Sequence, residues 1–211
     1  MATQPKNTKY HNIMKLKPTQ YAVGILEVES KIEELKKLKK SKRRKVTKSD
    51  PIPVIISPDG EVYLVDHHHL VLALSTLGIK RVKVNILHDL SERKFTFSQF
   101  WRWMKKRNYY YPFCQFGEGP RNPLYLPNSI LGLADDPYRS LAWFCRKEGA
   151  YLKTDEDFSE FHWANFFREK KLLDLHGRKG IRVALKKAVR LAQSKGAKKL
   201  PGYIPPGQGK K

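Results

Sequence analysis

Ile52-Pro53-Val54-Ile55-Ile56-Ser57-Pro58-Asp59-Gly60-Glu61-Val62-Tyr63-Leu64-Val65-Asp66-His67-His68-His69-Leu70 decides how the chain is read. Two runs of β-branched and aromatic residues flank Ser-Pro-Asp-Gly, a turn-forming tetrad, so the first part predicts strand, tight turn, strand. Leu70, Leu72, Ala73, Leu74 and Leu77 then follow at helical spacing, and Gly78 stops them, which predicts a short buried helix over 70–77. Asp66 to His69 therefore fall where a strand hands over to a helix. Backbone N–H groups at a helix N-terminus lack partners and suit anions, so an acid followed by imidazoles at this point suggests phosphate or phosphoryl chemistry.

The pattern extends in both directions. Arg81 to Leu87 alternates polar and apolar residues and predicts a further strand. Upstream, Leu16-Lys17-Pro18-Thr19-Gln20 suits a strand, and Val28, Ile32, Leu35 and Leu38 mark a helix. The resulting order, β-α-β-β-α-β, implies a small mixed sheet covered by helices, an α/β (α+β) fold. From Phe95 onward the predicted elements are helical. Phe97, Phe100, Trp101 and Met104 form one apolar stripe, read as core rather than as a base-stacking platform. Asp135-Asp136-Pro137 precedes an amphipathic helix and reads as its cap. Aromatic residues line a helix over 158–173, and His162 beside them reads as a satisfied core residue. Ile181, Ala184, Leu185, Ala188 and Ala192 line the apolar side of the last helix. The expected organisation is a loose arm over 1–14, a sheet domain over 15–92, a helical extension over 93–196 packed on it, and a disordered basic tail over 197–211. Trp101, Trp143, Trp163 and Phe166 are expected to be buried.

Charge narrows the partners. The 211 residues carry 42 Lys and Arg against 20 Asp and Glu, a net charge of +22. A small domain needs only about 2–8 charges for solubility, so the excess predicts a polyanionic partner, most simply nucleic acid. Two basic clusters stand out, one around Lys42, Arg43 and Arg44 and one at Arg182, Lys186 and Arg190 on the polar side of the last helix. Either is read as a phosphate-contacting face or, alternatively, as a solvated one. Cys114 and Cys145 lack metal-ligand spacing and read as reduced core thiols. No apolar run has transmembrane length and the polar N-terminus has no signal-peptide core, so a cytoplasmic protein is expected, with the run at 40–45 a weak nuclear-import-like alternative.

The junction carries a resemblance. Pro53-Val54-Ile55-Ile56, the turn at Gly60, Tyr63-Leu64-Val65-Asp66 and His67-His68-His69-Leu70 resemble the ParB/sulfiredoxin superfamily, in which an Asp-Gly-His-His-Arg or related segment opens a helix against the sheet. The chain is most similar to ParB-like nucleases that carry Asp-His-His-His-Leu. Pro18-Thr19-Gln20, Asp135 to Leu141 and Glu160 to Ala164 fit that family as well. The resemblance implies nucleotide or phosphate binding at the junction, with nuclease, nucleotide hydrolase or small-molecule kinase activity, or DNA loading without catalysis. Carried over by position, Asp66, His68 and His69 are the candidate catalytic groups. His67 and Glu29 are candidate contacts to a nucleotide, which a divalent cation would accompany, and Glu27 competes with Glu29 for the catalytic glutamate of the kinase-like members. His67 stands in place of Gly, and Leu70 in place of an Arg that would clamp a phosphate. The sulfiredoxin-type cysteine is absent, which argues against peroxiredoxin repair.

On the residues alone, three roles for the imidazoles stay open: metal ligation, phosphate contact or acid–base catalysis, and a structural role hydrogen-bonded to Asp66 and the backbone. His88, after the next strand, is expected near the same end of the sheet. The function expected is a nucleic-acid-associated protein with a phosphate or nucleotide site at Asp66–His69, and the alternative is a non-catalytic DNA- or RNA-binding module.

Overall fold

A computed structural model describes residues 7–174 and 177–207. In chain order the elements are β1 (Thr8–Asn12), β2 (Leu16–Pro18), β3 (Ala22–Val23), α1 (Ile25–Lys36), α2 (Lys40–Arg43), α3 (Val46–Ser49), β4 (Ile52–Ile56), β5 (Val62–Leu64), α4 (His68–Thr76), β6 (Arg81–Asp89), α5 (Phe97–Lys106), β7 (Ala134–Asp135), α6 (Pro137–Lys147), α7 (Ser159–Glu169) and α8 (Gly177–Ala192). The chain forms two compact units. The first holds the chain up to Tyr21, Val28–Cys114 and Glu118–Ala134; the second holds Ala22–Glu27, Gln115–Gly117 and the chain from Asp135 onward.

The first unit is built on a five-stranded mixed sheet in the order β1-β6-β4-β5-β2. β4 and β5 are the expected antiparallel pair about the Pro58-Asp59-Gly60 turn, with Val54 opposite Leu64 and Ile55 opposite Tyr63. β6 runs parallel to β4, and β2 runs parallel to β5. Alternation along the strands sends Ile55 and Tyr63 to one face. There Phe100, Trp101 and Met104 of α5 meet them, together with Tyr110. Thr96 caps α5 in a reciprocal box with Gln99, which satisfies N–H groups that a helix start leaves unpaired. The stripe read as core is core at Phe100, Trp101 and Met104, whereas Phe97 is half exposed.

Two details of this unit differ from the sequence reading. Thr8–Asn12, expected as loose arm, pairs antiparallel with β6 as an edge strand. Its side chains are mostly exposed, so what holds it is main-chain hydrogen bonding, which leaves no hydrophobic signature. His88 lies within β6 and pairs with Ile55, whereas Leu64, the last residue before the junction, pairs with Val54 on the antiparallel strand. β4 thus runs away from the junction towards His88, which belongs to the other end of the sheet, edge-on to Trp103 at 5.0 Å between ring centroids.

The second unit is helical. α6, α7 and α8 enclose Leu141, Trp163, Ala164, Phe167, Ile181, Ala184 and Ala188. Tyr151 stacks on Trp163 at 4.1 Å. The helix expected over 158–173 begins at Ser159, with Phe158 as its left-handed cap, and ends at Glu169; His162 is exposed on it. Part of the segment expected as disordered tail is ordered in this unit: the Trp163 indole donates to the Pro201 carbonyl at 2.8 Å, Leu152 N donates to Gly202 O at 2.8 Å, and Ala197 and Ile204 are buried. Proline and glycine here make an irregular path whose carbonyls satisfy a buried indole. The end of that tail, 208–211, and the start of the arm, 1–6, lie outside the described residues. Trp101, Trp143, Trp163 and Phe166 are all buried, as are the free thiols Cys114 and Cys145.

Candidate functional site

The junction is built where three strand ends meet. β5 ends at Leu64, and Pro18, the last residue of β2, pairs with it, so Thr19 stands beside the start of α4. That helix begins two residues earlier than expected, and His68 and His69 form its first turn. His67 is the N-cap and is left-handed, with φ 65° and ψ 22°. Asp66 Oδ1 accepts the His67 N–H at 2.6 Å, which occupies a donor that an incoming phosphate oxygen would need.

The three imidazoles part company. His68 is buried and turned inward. Its Nε2 accepts the Thr19 N–H at 3.2 Å, and the ring also hydrogen-bonds the Leu64 carbonyl. An amide N–H can only donate, so Nε2 is unprotonated and the proton sits on Nδ1. Burial pushes the His68 pKa down to about 3, outweighing the pull of Asp66. Thr19 closes the ring of bonds, since its Oγ1 donates to Leu64 O at 2.8 Å. His68 therefore pins the β2 end to the β5–α4 junction as a neutral group, with both nitrogens engaged. His69 is also buried. His67 is the accessible member, its Nε2 3.6 Å from the exposed carboxylate of Asp50. Asp66 is exposed.

The superfamily resemblance can now be set against whole-chain comparisons. The family described as "Putative ParB-like nuclease" matches residues 10–169, about three quarters of the chain. The chain belongs to this family. Among solved structures it is similar to protein Atu1540 from Agrobacterium tumefaciens, with a TM-score of 0.81 and 37% identity over 94% of this chain and 98% of that one. No curated protein matches it.

Within this ParB-like frame, the left-handed backbone at position 67 explains why Gly suits the equivalent place in the superfamily segment. The conformation is open to Gly without penalty and is strained for a side chain, though His tolerates it better than most. Glu29, on α1, is partly buried. Glu27 is held elsewhere: it is buried in the second unit and paired with Arg139 at 3.0 Å. Arg139 also approaches Glu160 at 3.7 Å, and Glu160 pairs with Arg146 at 3.0 Å. Asp136 caps α6 through Tyr138 N and Arg139 N, and its other oxygen accepts from Arg168 at 2.7 Å. The Asp135–Leu141 and Glu160–Ala164 segments thus meet in one buried ionic network. The capping Asp and its Pro were readable from the sequence, whereas the partners of Arg139 lie too far apart along the chain to be paired from it.

The basic residues divide as well. Arg43 is committed to the fold: its guanidinium donates to Lys36 O at 2.7 Å and Leu38 O at 2.9 Å, covering carbonyls left over at the end of α1. Lys42 and Arg44 are exposed, as are Arg182, Lys186 and Arg190 on α8. Among the described residues, no group of three or more His, Cys, Asp or Glu side chains is placed to hold a metal ion, and no helix is long and apolar enough to cross a membrane.

Proposed function

We propose that this ParB-like protein binds nucleic acid through its phosphate backbone, with α8 as a principal contact. One observation carries the reading: Arg182, Lys186 and Arg190 are exposed one turn apart on a helix whose sequence contains no acid, in a chain of net charge +22. The three side chains span roughly 12 Å of helix. Like charges in such a row repel one another, and a polyanion relieves the repulsion. Lys42 and Arg44 extend the basic surface of the first unit. The reading is tested by measuring affinity for a labelled duplex between about 50 mM and about 200 mM salt; if all three α8 cations contact phosphates, the triple alanine variant flattens the log–log salt slope by about 2.7. An unchanged slope removes α8 from the footprint.

A second reading, cleavage of a phosphodiester or nucleotide at the junction, is favoured by the pairing of His67 with Asp50 at the surface beside Asp66. In it His67 exchanges the proton, Asp50 orients its ring, Asp66 holds the backbone turn, and a nucleotide phosphate with a divalent cation approaches from solvent. His69 flanks the site, and His68 acts as a positioning residue. His67→Ala abolishes such turnover and leaves duplex affinity intact; retained turnover refutes the assignment.

A further inference from the structure

The α5 face of the sheet carries a cleft of about 350 Å³ that neither reading above uses. Its aromatic wall is Tyr63, Phe97, Phe100 and Trp101, and Lys17 and Asn128 stand at its polar edge. The rings are tilted or edge-on to one another, with Tyr63 5.1 Å from Trp101 and Phe97 6.2 Å from Trp101. None of these pairings stacks face to face on Phe97, which is 50% exposed. Leu124 lines the opposing lip and is 70% exposed. Apolar surface concentrated in one concave place marks a binding site more often than an accident of packing.

Two polar groups at this place have no partner among the described residues. The Trp101 Nε1–H is buried without a hydrogen bond, a cost that a fold usually avoids. The Asn128 amide is exposed and makes no hydrogen bond; it offers both a donor and an acceptor, as the edge of a base requires. Charge points the same way. The nearby acids are already engaged, Asp59 by the Ser57 hydroxyl and Glu61 by Lys17 at 3.1 Å. Arg93 and Lys94, just before Phe95, and Arg102, next to Trp101, are exposed and unpaired among the described residues.

We propose that this cleft receives an unpaired nucleobase, stacked on Phe97 with its edge toward Asn128, so that the protein prefers single-stranded nucleic acid to duplex. The inference rests on the nucleic-acid reading and adds the strandedness of the partner. Bases in a duplex are stacked on one another and cannot enter a cleft of this depth, whereas a splayed base presents a π-face that an aromatic side chain accepts whatever its identity. A polyproline segment would also fit aromatic walls, but it has no need of the surrounding cations.

The test uses the full-length protein, a labelled mixed-sequence single strand and the blunt duplex it forms, followed by fluorescence anisotropy. Phe97 is half exposed, so Phe97→Ala is expected to fold, which its melting curve checks. It should weaken single-strand binding roughly 5-fold or more and leave duplex binding and both salt slopes unchanged, and Phe97→Trp should retain the single-strand affinity. Equal loss for both forms, or no loss for the single strand, overturns the proposal. So does displacement of the strand by decaproline, which assigns the cleft to a polyproline partner. The parent reading fails separately: if the α8 triple variant binds both forms as the parent does while Phe97→Ala still discriminates, α8 is excluded and the base cleft stands. Absence of any binding by the unmodified protein refutes both.

Discussion

Replacing His68 by Gln separates a positioning imidazole from a catalytic one, because the two roles respond to acid differently. In the native protein His68 has a pKa of about 3, whereas in the unfolded chain an imidazole titrates near 6.5. Below about pH 6.5 the unfolded state therefore binds a proton that the native state refuses, and stability falls as the solution is acidified. Each pH unit in that window costs about 1.4 kcal/mol, so moving from about pH 7 to about pH 5 removes about 2 kcal/mol through this residue alone. The loss continues until the native pKa is reached and would total about 5 kcal/mol over the full 3.5-unit gap. Above about pH 7 the contribution is flat. Gln keeps an acceptor for the Thr19 N–H and does not titrate. His68→Gln should therefore be somewhat less stable than the parent at neutral pH, yet lose about 2 kcal/mol less between the two pH values. Urea unfolding of both proteins at both pH values gives this double difference, in which the other titrating groups cancel. If parent and variant lose stability equally, His68 is not held neutral in the fold and the pin at Thr19 is misread.

Three further outcomes follow from the geometry. A Cβ on Gly202 would lie 2.1 Å from the Leu152 carbonyl oxygen, at a φ of +69°, so Gly202→Ala should destabilise by about 2 kcal/mol or more; a urea midpoint unchanged from the parent would show that the 197–207 segment is not seated on the second unit. His67→Gly relieves a left-handed side chain and should raise stability by about 1 kcal/mol, seen as a higher melting temperature, while a fall would mean that the Asp50 contact outweighs the strain. Trp163→Phe keeps an aromatic ring against Tyr151 but leaves the Pro201 carbonyl unsatisfied, at a cost of about 1–3 kcal/mol, which calorimetry would detect and an unchanged melting curve would contradict.

Much of the sheet was legible because its signals are local. The alternation in Ile52–Ile56 and Val62–Leu64, the Pro-Asp-Gly turn between them and the apolar spacing of Leu70–Leu77 each sit within a few residues, and the structure follows them. β1 was not legible, because an exposed edge strand is held by backbone bonds that any polar sequence can make. The order in 197–207 was missed for a related reason: Pro201 contributes a carbonyl, which composition does not distinguish from a solvated one. At the candidate site the sequence marked the right place, Asp66 to His69, while the division of labour among adjacent identical residues lay beyond it. Neighbours on a helix start point some 100° apart, and which of them meets the interior depends on where Thr19 arrives from β2.

The sequence by itself determined the α/β character, the position of the strand-to-helix junction, the family and the surplus of positive charge, since these depend on local pattern and on composition. Tertiary structure alone decided that His68 is a neutral pin and His67 the accessible ring, that Glu27 is taken up by Arg139, that Arg43 closes a helix while Arg44 faces water, and that four aromatic residues from separate elements wall one cleft. Each of those outcomes depends on which distant group arrives within hydrogen-bonding or contact distance. Burial and partner together set the charge and availability of a side chain, and both are properties of the fold rather than of the residue.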